Sequence, residues 1–468
     1  MSKRNFKHRH VIFQLILKFE DMLEKGRVRF PDEDPYHNLI DYYEHEYLLE
    51  RALEVTDHAL VQYGQSADFY LRKAELLLEN NQAELALALL DQVDALLPDC
   101  LSSSLLRAEA LAALDMHDEA IALLESIKDH NDPAALSDIY VCEGLIFEQM
   151  KDYERMFFVL KAALRENPTN DEALSRMWYC VEYARKYEES VELHERILDE
   201  YPYCSLAWYN LGAAHHYLCN HEKAIEAYEY AFLTREDFHF AYRDCAEVCL
   251  YVQDYMKALQ CYQEVLERFE PDADLFLHIG LCYKHLGNPL LARTFYEKAV
   301  VFDPWCDEAH FRIGECYAAQ KQWQKAISAY LKAIRIEDRH EEYYAGLGEA
   351  YCKVGNLKKA ETFLREAADI APDDAAYWIK VVRFLMDQGR IKEAIEVLDE
   401  AEEYTYDTQL LYVRSVCLLS LGKKREAYLV LEEALCEDFE AHNSLFHLMP
   451  VLEQDKEVRA MIAVFQPE

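Results

Sequence analysis

A period of 34 residues runs through this sequence, and it restricts the chain to folds in which one small unit is used many times. The period is clearest where a glycine is followed three residues later by a tyrosine, at Gly280 and Tyr283, Gly314 and Tyr317, and Gly348 and Tyr351. Apolar residues around these positions recur with the spacing of amphipathic helices, so each unit is predicted to be two helices joined by a short turn. Because neither helix can bury its apolar face alone, the units are expected to stack on one another.

Glycine and proline support the same register, because nine of the twelve glycines fall at two fixed places in it. Five share a position on the first helix, where a missing side chain lets the paired helix approach closely: Gly144, Gly212, Gly280, Gly314 and Gly348. Four share the turn between the two helices, where left-handed backbone geometry suits glycine: Gly287, Gly355, Gly389 and Gly422. Prolines recur between units, where they stop one helix without breaking the next. The chain is therefore predicted to be helical throughout.

These repeats resemble the tetratricopeptide repeat (TPR), a 34-residue unit with a characteristic set of large, small and aromatic positions. The frame that begins at residue 273 carries the pattern in Phe276, Ile279, Gly280, Tyr283, Ala292, Tyr296, Ala299 and Pro304. The resemblance implies an all-α fold, an α-solenoid with a right-handed superhelix and about twelve helix-turn-helix units with terminal capping helices. Long bacterial proteins made only of TPRs are similar in this respect.

The register divides the chain into three parts. Residues 1–32 are expected to form an N-terminal helix and linker, residues 33–441 the repeat array, and residues 442–468 a C-terminal capping helical segment. The repeats are expected to start near residues 33, 67, 101, 137, 171, 205, 239, 273, 307, 341, 375 and 408. Two extra residues, around Asp129–Pro133, precede the repeat at 137.

Two repeats depart from the pattern. The repeat at 137 keeps Gly144 but has Met156 at the alanine position of its second helix. The repeat at 171 does the reverse, with Trp178 at the glycine position and Ser190 at the alanine position. In the family these two positions face each other, so we expect a large residue packed opposite a small one. A functional pocket at the repeat is the alternative.

The charge and cysteine content bear on partners and location. A formal net charge of −38, from 87 acidic and 49 basic residues, disfavours nucleic acid and anionic membrane surfaces as partners. The fourteen cysteines form no CxxC pair and fall mostly inside predicted helices, which is typical of a reducing compartment. No apolar stretch approaches the roughly 20 residues of a membrane span. A cytoplasmic location is therefore expected.

The sequence contains no motif of an enzyme: P-loop, GxGxxG after a strand, GxSxG and HExxH are all missing. The best candidates for metal ligands are His215, His216, Cys219 and His221. His215 occupies a position that tyrosine fills in other repeats, so packing explains it. We therefore expect a chain that is not an enzyme and that binds neither metal nor cofactor.

The resemblance also implies where a partner binds, because the first helices of TPR proteins line a concave groove that receives a peptide or a helix. At the groove-facing positions this sequence has basic and aromatic residues: Arg72, Arg176, Tyr209, Asn210, Phe240, Arg243, His278, Phe311, Arg312, Lys380 and Arg383. They suggest a ligand with an acidic segment or a C-terminal carboxylate. Pairing inside the chain is an equally open alternative, because Glu75, Glu247 and Glu315 lie within about one turn of three of these arginines.

The two-carboxylate clamp with which some TPR proteins hold chaperone C-termini is incomplete here. Asn210 matches one clamp position, whereas Ser175 stands where the family pattern has lysine and Asp244 where it has arginine. The leading hypothesis is a non-catalytic scaffold or adaptor that binds a protein or peptide partner in the groove. The alternative is a structural or assembly protein that associates with itself through its terminal helices.

Overall fold

The computed structural model describes residues 3–26, 28–129 and 132–466. The insertion expected around Asp129–Pro133 includes residues 130 and 131, which lie outside the described residues. Residues 1, 2, 27, 467 and 468 of the expected terminal segments also lie outside them. The chain divides into two compact units, unit 1 (Met1–Val248) and unit 2 (Cys249–Glu468).

Within the described residues the protein is all-α, with 27 α-helices, two short 3-10 helices and no strand. Unit 1 contains α1 (Lys3–Glu24), α2 (Asp34–His45), α3 (Leu49–Gln62), α4 (Ala67–Glu79), α5 (Ala83–Leu96), α6 (Leu101–Ala113), α7 (His117–Ser126), α8 (Pro133–Gln149), α9 (Tyr153–Glu166), α10 (Asp171–Ala184), α11 (Tyr187–Glu200), α12 (Ser205–Tyr217), α13 (His221–Thr234) and most of α14 (His239–Tyr251). Unit 2 continues with α15 (Tyr255–Arg268), α16 (Ala273–His285), α17 (Pro289–Phe302), α18 (Asp307–Ala319), α19 (Trp323–Ile336), α20 (Glu341–Val354), α21 (Leu357–Ile370), α22 (Ala375–Asp387), α23 (Ile391–Ala401), α24 (Thr408–Ser420), α25 (Lys424–Glu437), α26 (Asn443–Leu448) and α27 (Lys456–Phe465), with 3-10 helices at Glu440–His442 and Pro450–Gln454. The predicted all-α solenoid is confirmed.

The even-numbered helices from α2 to α24 are the first helices of successive pairs, and each is followed by a turn with one residue in left-handed conformation. Glycine fills four of these twelve positions, for example Gly287 with φ of 76°. Other residue types fill the rest: Tyr47, Asn81, Asp115, Lys151, Arg185, Cys219, Gln253 and Lys321. A side chain in this conformation costs roughly 1 kcal/mol, so the turn geometry is set by the helix pair and not by glycine alone.

A close contact within the pair explains the glycine of the first helix. A Cβ atom added at Gly280 would stand 2.5 Å from a ring carbon of Tyr296, and one added at Gly212 would stand 2.7 Å from Tyr228. The tyrosine follows the glycine by sixteen residues, is buried, and covers the backbone where the side chain is missing. The residue nearest the glycine is thus this tyrosine, whereas the family pattern led us to expect the alanine. We call a pair a closed pair when a buried tyrosine or leucine sixteen residues after the glycine covers it in this way.

The pair formed by α10 and α11 differs, and we call it the open pair. Helix α10 packs mainly on α9 and α12 and approaches its own partner α11 at few points. Trp178 stands at the glycine position, and 41% of its surface is exposed. The expected packing of a large Trp178 against a small Ser190 inside a tight pair is therefore not found, because the two helices approach each other at few points and part of Trp178 faces solvent.

The pair formed by α8 and α9 also departs from the expected frame. Helix α7 ends early, at Ser126, and α8 begins at Pro133, which is earlier than the repeat start predicted near 137. Asp132 caps α8 by accepting a hydrogen bond from the backbone nitrogen of Ala134 at 3.2 Å. A carboxylate before the first turn and a proline within it are both favourable at a helix start.

Short helices cover the array at its C-terminal end. Leu445 of α26 and Val458 of α27 are fully buried, and they share a core with Leu431 of α25. The division of all these helices into twelve repeats and two terminal segments stays a prediction. No helix within the described residues has an apolar stretch long enough to cross a bilayer.

Candidate functional site

Polar side chains connect successive first helices, which together form what we call the first-helix face of each unit. In unit 1 the guanidinium of Arg176 on α10 lies 2.7 Å from the carboxylate of Glu148 on α8. The hydroxyl of Tyr209 on α12 donates a hydrogen bond of 2.6 Å to the carboxylate of Asp244 on α14. All the residues predicted to bind a ligand lie on first helices, so their surroundings show what each is available to do.

Two of the predicted basic residues in unit 1 are already neutralised by carboxylates of the chain. Arg72 contacts Asp41 and Glu75, each at 2.9 Å, and also forms a short ion pair with Glu44. Arg176, in addition to its contact with α8, lies 2.5 Å from Glu172 on its own helix. An acidic ligand would have to displace these intramolecular partners to reach either guanidinium.

The predicted basic residues of unit 2 are mostly engaged in the same way. Arg312 contacts Glu308 and Glu315, both at 3.0 Å. Lys380 lies 2.7 Å from Glu349 on the preceding first helix. Arg383 is different: it is exposed and forms no ion pair within the part of unit 2 that the structure describes.

Two predicted ligand residues are buried, which corrects their assignment to an open groove. The Asn210 side chain is almost wholly inaccessible, and its amide donates a hydrogen bond of 2.8 Å to the carbonyl oxygen of Leu174. Phe311 is buried with its ring centroid 4.8 Å from that of Tyr343. Both side chains are used in helix packing, so neither is on the surface where a ligand would bind.

The remaining predicted residues are partly accessible. In unit 1, 54% of the surface of Phe240 is exposed, and Arg243 is half-buried. In unit 2, the His278 ring stacks on that of Tyr262 with 5.4 Å between centroids. Of the predicted residues in unit 1, Tyr209 and Phe240 therefore remain as candidates for direct contact with a ligand.

The first-helix face of unit 1 contains a cleft of about 220 Å³ between α10, α12 and α14. We call it the aromatic–acidic cleft. It is lined by Trp178, Tyr209, Ala213, His216, Tyr217, Tyr228, Asp244, Glu247 and Val248. Trp178 and Tyr217 present their rings to solvent, with 41% and 44% of their surfaces exposed, whereas Tyr228 is buried beneath them.

The electrostatics of the cleft centre on Asp244. Burial is the main cause that raises the pKa of Asp244, to about 6, and the nearby Glu247 also raises it. The hydrogen bond from Tyr209 and the charge of Arg243 lower this pKa but do not cancel the effect of burial. Burial also raises the pKa of Tyr209, and Asp244 adds to that effect, so the phenol stays protonated as a donor. At neutral pH the cleft therefore holds a mostly ionised and partly desolvated carboxylate.

The open pair contributes Trp178 to this cleft. In the closed pairs the position sixteen residues after the glycine holds a buried tyrosine or leucine, and the corresponding residue here is His194. His194 is fully buried, its Nδ1 lies 2.8 Å from the carbonyl oxygen of Ser190, and its Nε2 lies 3.3 Å from the amide nitrogen of Asn210. Burial lowers the pKa of His194 to about 4. A hydrogen-bonded histidine thus stands where a closed pair has a tyrosine or a leucine, and Trp178 lines the cleft.

The residues considered as metal ligands do not form a cluster. His215 is buried, and the rings of His216 and His221 lie 5.8 Å apart between centroids. Within the residues that the structure describes, no three histidine, cysteine, aspartate or glutamate side chains converge as metal ligands would.

Several residues of the cleft were not predicted from the sequence to bind a ligand. Trp178 was noticed only as a departure from the repeat, and Asp244 only as a missing clamp arginine. The signal was present in both cases, because a large aromatic residue and a carboxylate occur where the repeat pattern calls for other residue types. Glu247 was considered only as an ion-pair partner of Arg243.

Fold and site together define a class of protein, a helical-repeat scaffold with an open face lined by aromatic and acidic side chains. Family models of the tetratricopeptide repeat match residues 71–135, 182–236, 248–305 and 317–381, more than half of the chain. The protein belongs to the TPR family. TPR proteins are generally non-catalytic scaffolds that bind protein or peptide partners, and in this general sense the chain is a protein-interaction scaffold.

Several solved structures are similar to this chain. YrrB, a TPR protein with an unusual peptide-binding site, is 23% identical over 40% of this chain and 96% of that one, with a TM-score of 0.35. The APC/C hetero-tetramer Cut9-Hcn1 is 14% identical over 90% and 99%, with a TM-score of 0.38. MamA from Desulfovibrio magneticus RS-1 is 22% identical over 36% and 95%, with a TM-score of 0.33. Similarity at this level carries no information about function, and no curated protein matches the sequence.

Proposed function

We propose that this TPR protein is a scaffold that binds an extended peptide segment of a partner protein on the first-helix face of unit 1, with the aromatic–acidic cleft at the centre of the contact. The observation that carries the proposal is the exposed ring of Trp178 beside a cleft of about 220 Å³. Tryptophan and tyrosine are the residue types that most often anchor a protein interface when they are accessible next to a pocket.

The accessible surface extends beyond the cleft itself. Phe240 lies one helical turn before Asp244 on α14, so the two side chains share a side of that helix. Tyr217 stands at the end of α12 with its ring exposed. A peptide that crosses α10, α12 and α14 would contact aromatic side chains from three successive first helices, as expected for a repeat scaffold.

The basic residues predicted from the sequence have a smaller part in this proposal. The guanidinium groups of Arg72 and Arg176 are held by carboxylates of the chain, and Asn210 is buried. Self-association through the terminal helices stays a prediction, which the dependence of molecular mass on protein concentration would test.

The test is selection of a random peptide display library on the full chain, followed by fluorescence anisotropy with the selected peptides. We expect Trp178→Ala to weaken their binding by roughly tenfold or more, since an anchor residue contributes at least this much. Leu429→Ala is the matched control, because Leu429 on α25 is 68% exposed and lies outside the cleft. Selected peptides that bind Trp178→Ala and the native chain equally would refute the proposal, provided that circular dichroism shows both variants folded.

A further inference from the structure

The first-helix face is not electrostatically uniform, and the difference indicates the charge of the ligand. Arg72 contacts three carboxylates and Arg176 contacts two, so these cations are compensated inside the chain. The carboxylates of the cleft are not compensated in this way. Within the described residues, the one hydrogen bond that Asp244 accepts comes from the neutral Tyr209 hydroxyl, and the exposed Glu247 forms no ion pair.

Arg243, the residue before Asp244, does not remove the negative charge of the cleft. It lowers the pKa of Asp244, but burial and Glu247 act in the opposite direction and the pKa remains raised. A partly buried carboxylate whose charge is not fully compensated is unfavourable, and a cation that enters the site relieves this cost. The electrostatics of the cleft therefore favour the binding of a positively charged group.

The aromatic side chains of the cleft favour the same class of ligand. The faces of aromatic rings carry partial negative charge and attract ammonium and guanidinium groups, tryptophan most strongly. Trp178 and Tyr217 supply exposed rings, and Tyr209 supplies a half-buried ring whose hydroxyl is held by Asp244. Rings and carboxylates on the walls of one narrow cleft give a cation both kinds of contact at once.

We propose that the aromatic–acidic cleft binds the cationic side chain of a lysine or arginine in a basic peptide segment of the partner. The inference rests on the function proposed above and specifies its ligand. It reverses the sign expected from the sequence, which predicted an acidic or C-terminal carboxylate ligand from the basic residues of the first helices. The overall net charge of −38 also attracts a basic segment.

The experiment uses three Gly-Ser peptides that differ only in a central lysine, norleucine or glutamate. The full chain is labelled with 5-fluorotryptophan, and the fluorine resonance of Trp178 is assigned by its loss in Trp178→Phe. We expect the lysine peptide to shift this resonance saturably and the norleucine peptide to bind roughly tenfold more weakly, since it keeps the alkyl chain but lacks the charge. The glutamate peptide is expected to bind more weakly still.

Charge reversal provides the control within the protein. Glu247→Lys should weaken binding of the lysine peptide by roughly tenfold or more and improve that of the glutamate peptide. Glu226→Lys makes the same change of net charge at an exposed position of α13 outside the cleft, and it should leave both affinities within about twofold. A lysine peptide that binds Glu247→Lys as tightly as the native chain would overturn the inference.

Failure of the inference can be told apart from failure of the proposed function. If the norleucine or glutamate peptide binds as tightly as the lysine peptide, or if none of the three shifts the Trp178 resonance, the cleft does not recognise a cation. In that case display-selected peptides whose affinity depends on Trp178 would still support the proposed function. If no selected peptide depends on Trp178, the proposed function fails as well.

Discussion

The closed pair formed by α16 and α17 and the open pair formed by α10 and α11 show two outcomes of the same repeat. In the closed pair Tyr296 covers Gly280 so closely that a Cβ atom there would stand 2.5 Å from the ring. In the open pair Trp178 takes the place of the glycine, and its ring is 41% exposed. The same repeat position therefore holds a covered glycine in one pair and a partly exposed aromatic side chain in the other.

The second helix of the open pair shows how the repeat tolerates the change. His194 stands where the closed pair has Tyr296, and it is buried among polar partners instead of covering a glycine. The carbonyl oxygen of Ser190 and the amide of Asn210 satisfy the two ring nitrogens. The cost of opening the pair is thus reduced by a buried hydrogen-bonded cluster, as buried polar groups require.

The largest effect is expected when leucine is placed at the same position of the two pairs. Gly280→Leu should lower the free energy of unfolding by about 3 kcal/mol, because a side chain there meets a fully buried ring that cannot move aside. Trp178→Leu should lower it by less than about 1 kcal/mol, because 41% of the tryptophan surface is exposed and leucine keeps an apolar side chain at the position. Urea unfolding followed by circular dichroism measures both. Equal losses would show that the two pairs do not differ in packing.

The next effect concerns the buried histidine of the open pair. The pKa of His194 is lowered to about 4 by burial, although a backbone hydrogen bond with Ser190 raises it. Because the folded protein holds the neutral form, the stabilisation is present above the unfolded pKa of about 6.5 and is lost as pH falls towards 4. The loss should approach about 3 kcal/mol between these values.

The measurement compares the pH dependence of unfolding in the native chain and in His194→Gln, which does not titrate. Asp244 acts in the opposite direction, because its raised pKa makes it stabilising at low pH and destabilising above about 6. Both proteins retain Asp244, so its contribution cancels in the difference. A difference that does not change with pH would contradict the burial of a neutral His194.

The fold could be predicted from the sequence because the repeat requires particular residues for physical reasons. Gly280 lies against an aromatic ring and Gly287 adopts a left-handed turn conformation. Both structural requirements recur at the 34-residue spacing, so the sequence shows them. The start of α8 at Pro133 could not be predicted from that period. Asp132 caps this helix, and the helix begins before the position near 137 that the period predicts. The residue nearest the glycine also differs from the alanine expected from the family pattern, because a repeat pattern gives the position of a residue and not its contacts.

The site was less predictable for the same reason. The positions of Tyr209 and Asn210 in the repeat predicted that both face the groove. In the structure Tyr209 lines the cleft, whereas Asn210 is buried. Ion pairing decides whether Arg72 is available to a ligand, and it depends on Asp41 and Glu44 from another helix. Such contacts between helices come from the three-dimensional packing, which a single sequence does not specify.

A smaller effect is expected in the binding of the lysine peptide as pH falls. Protonation of Asp244 below about 6 removes a negative charge from the cleft, so affinity should fall by roughly tenfold between pH 7 and pH 5. The groups that face Asp244 are Tyr209, which donates to it, the charged Glu247 and Arg243, and the phenols of Tyr217 and Tyr228, which stay protonated because burial raises their pKa values. Asp244→Asn should bind weakly at both pH values. A native affinity that stays constant over this range would exclude a role for Asp244.

His216 lines the same cleft and has to be separated from this effect. Burial, and secondarily the charge of His221, lowers the pKa of His216. Its protonation at low pH would add positive charge and weaken cation binding in the same direction. His216→Gln removes this contribution, and the pH dependence that remains in that variant belongs to Asp244.

The smallest effect, and the sharpest test of the comparison, comes from converting the open pair into a closed one. In Trp178→Gly with His194→Tyr, the new tyrosine stands sixteen residues after the new glycine, as Tyr296 does after Gly280. We expect the double variant to be more stable than the sum of the single variants predicts, with a coupling free energy of about 1 kcal/mol, because the ring covers the glycine only when both changes are present. The matched control is Trp178→Gly with Ser190→Ala, which should be additive within about 0.5 kcal/mol. If Trp178 shows a coupling free energy with Ser190 but none with His194, the packing of Trp178 against Ser190 expected from the sequence is correct. The structural distinction between open and closed pairs then does not hold.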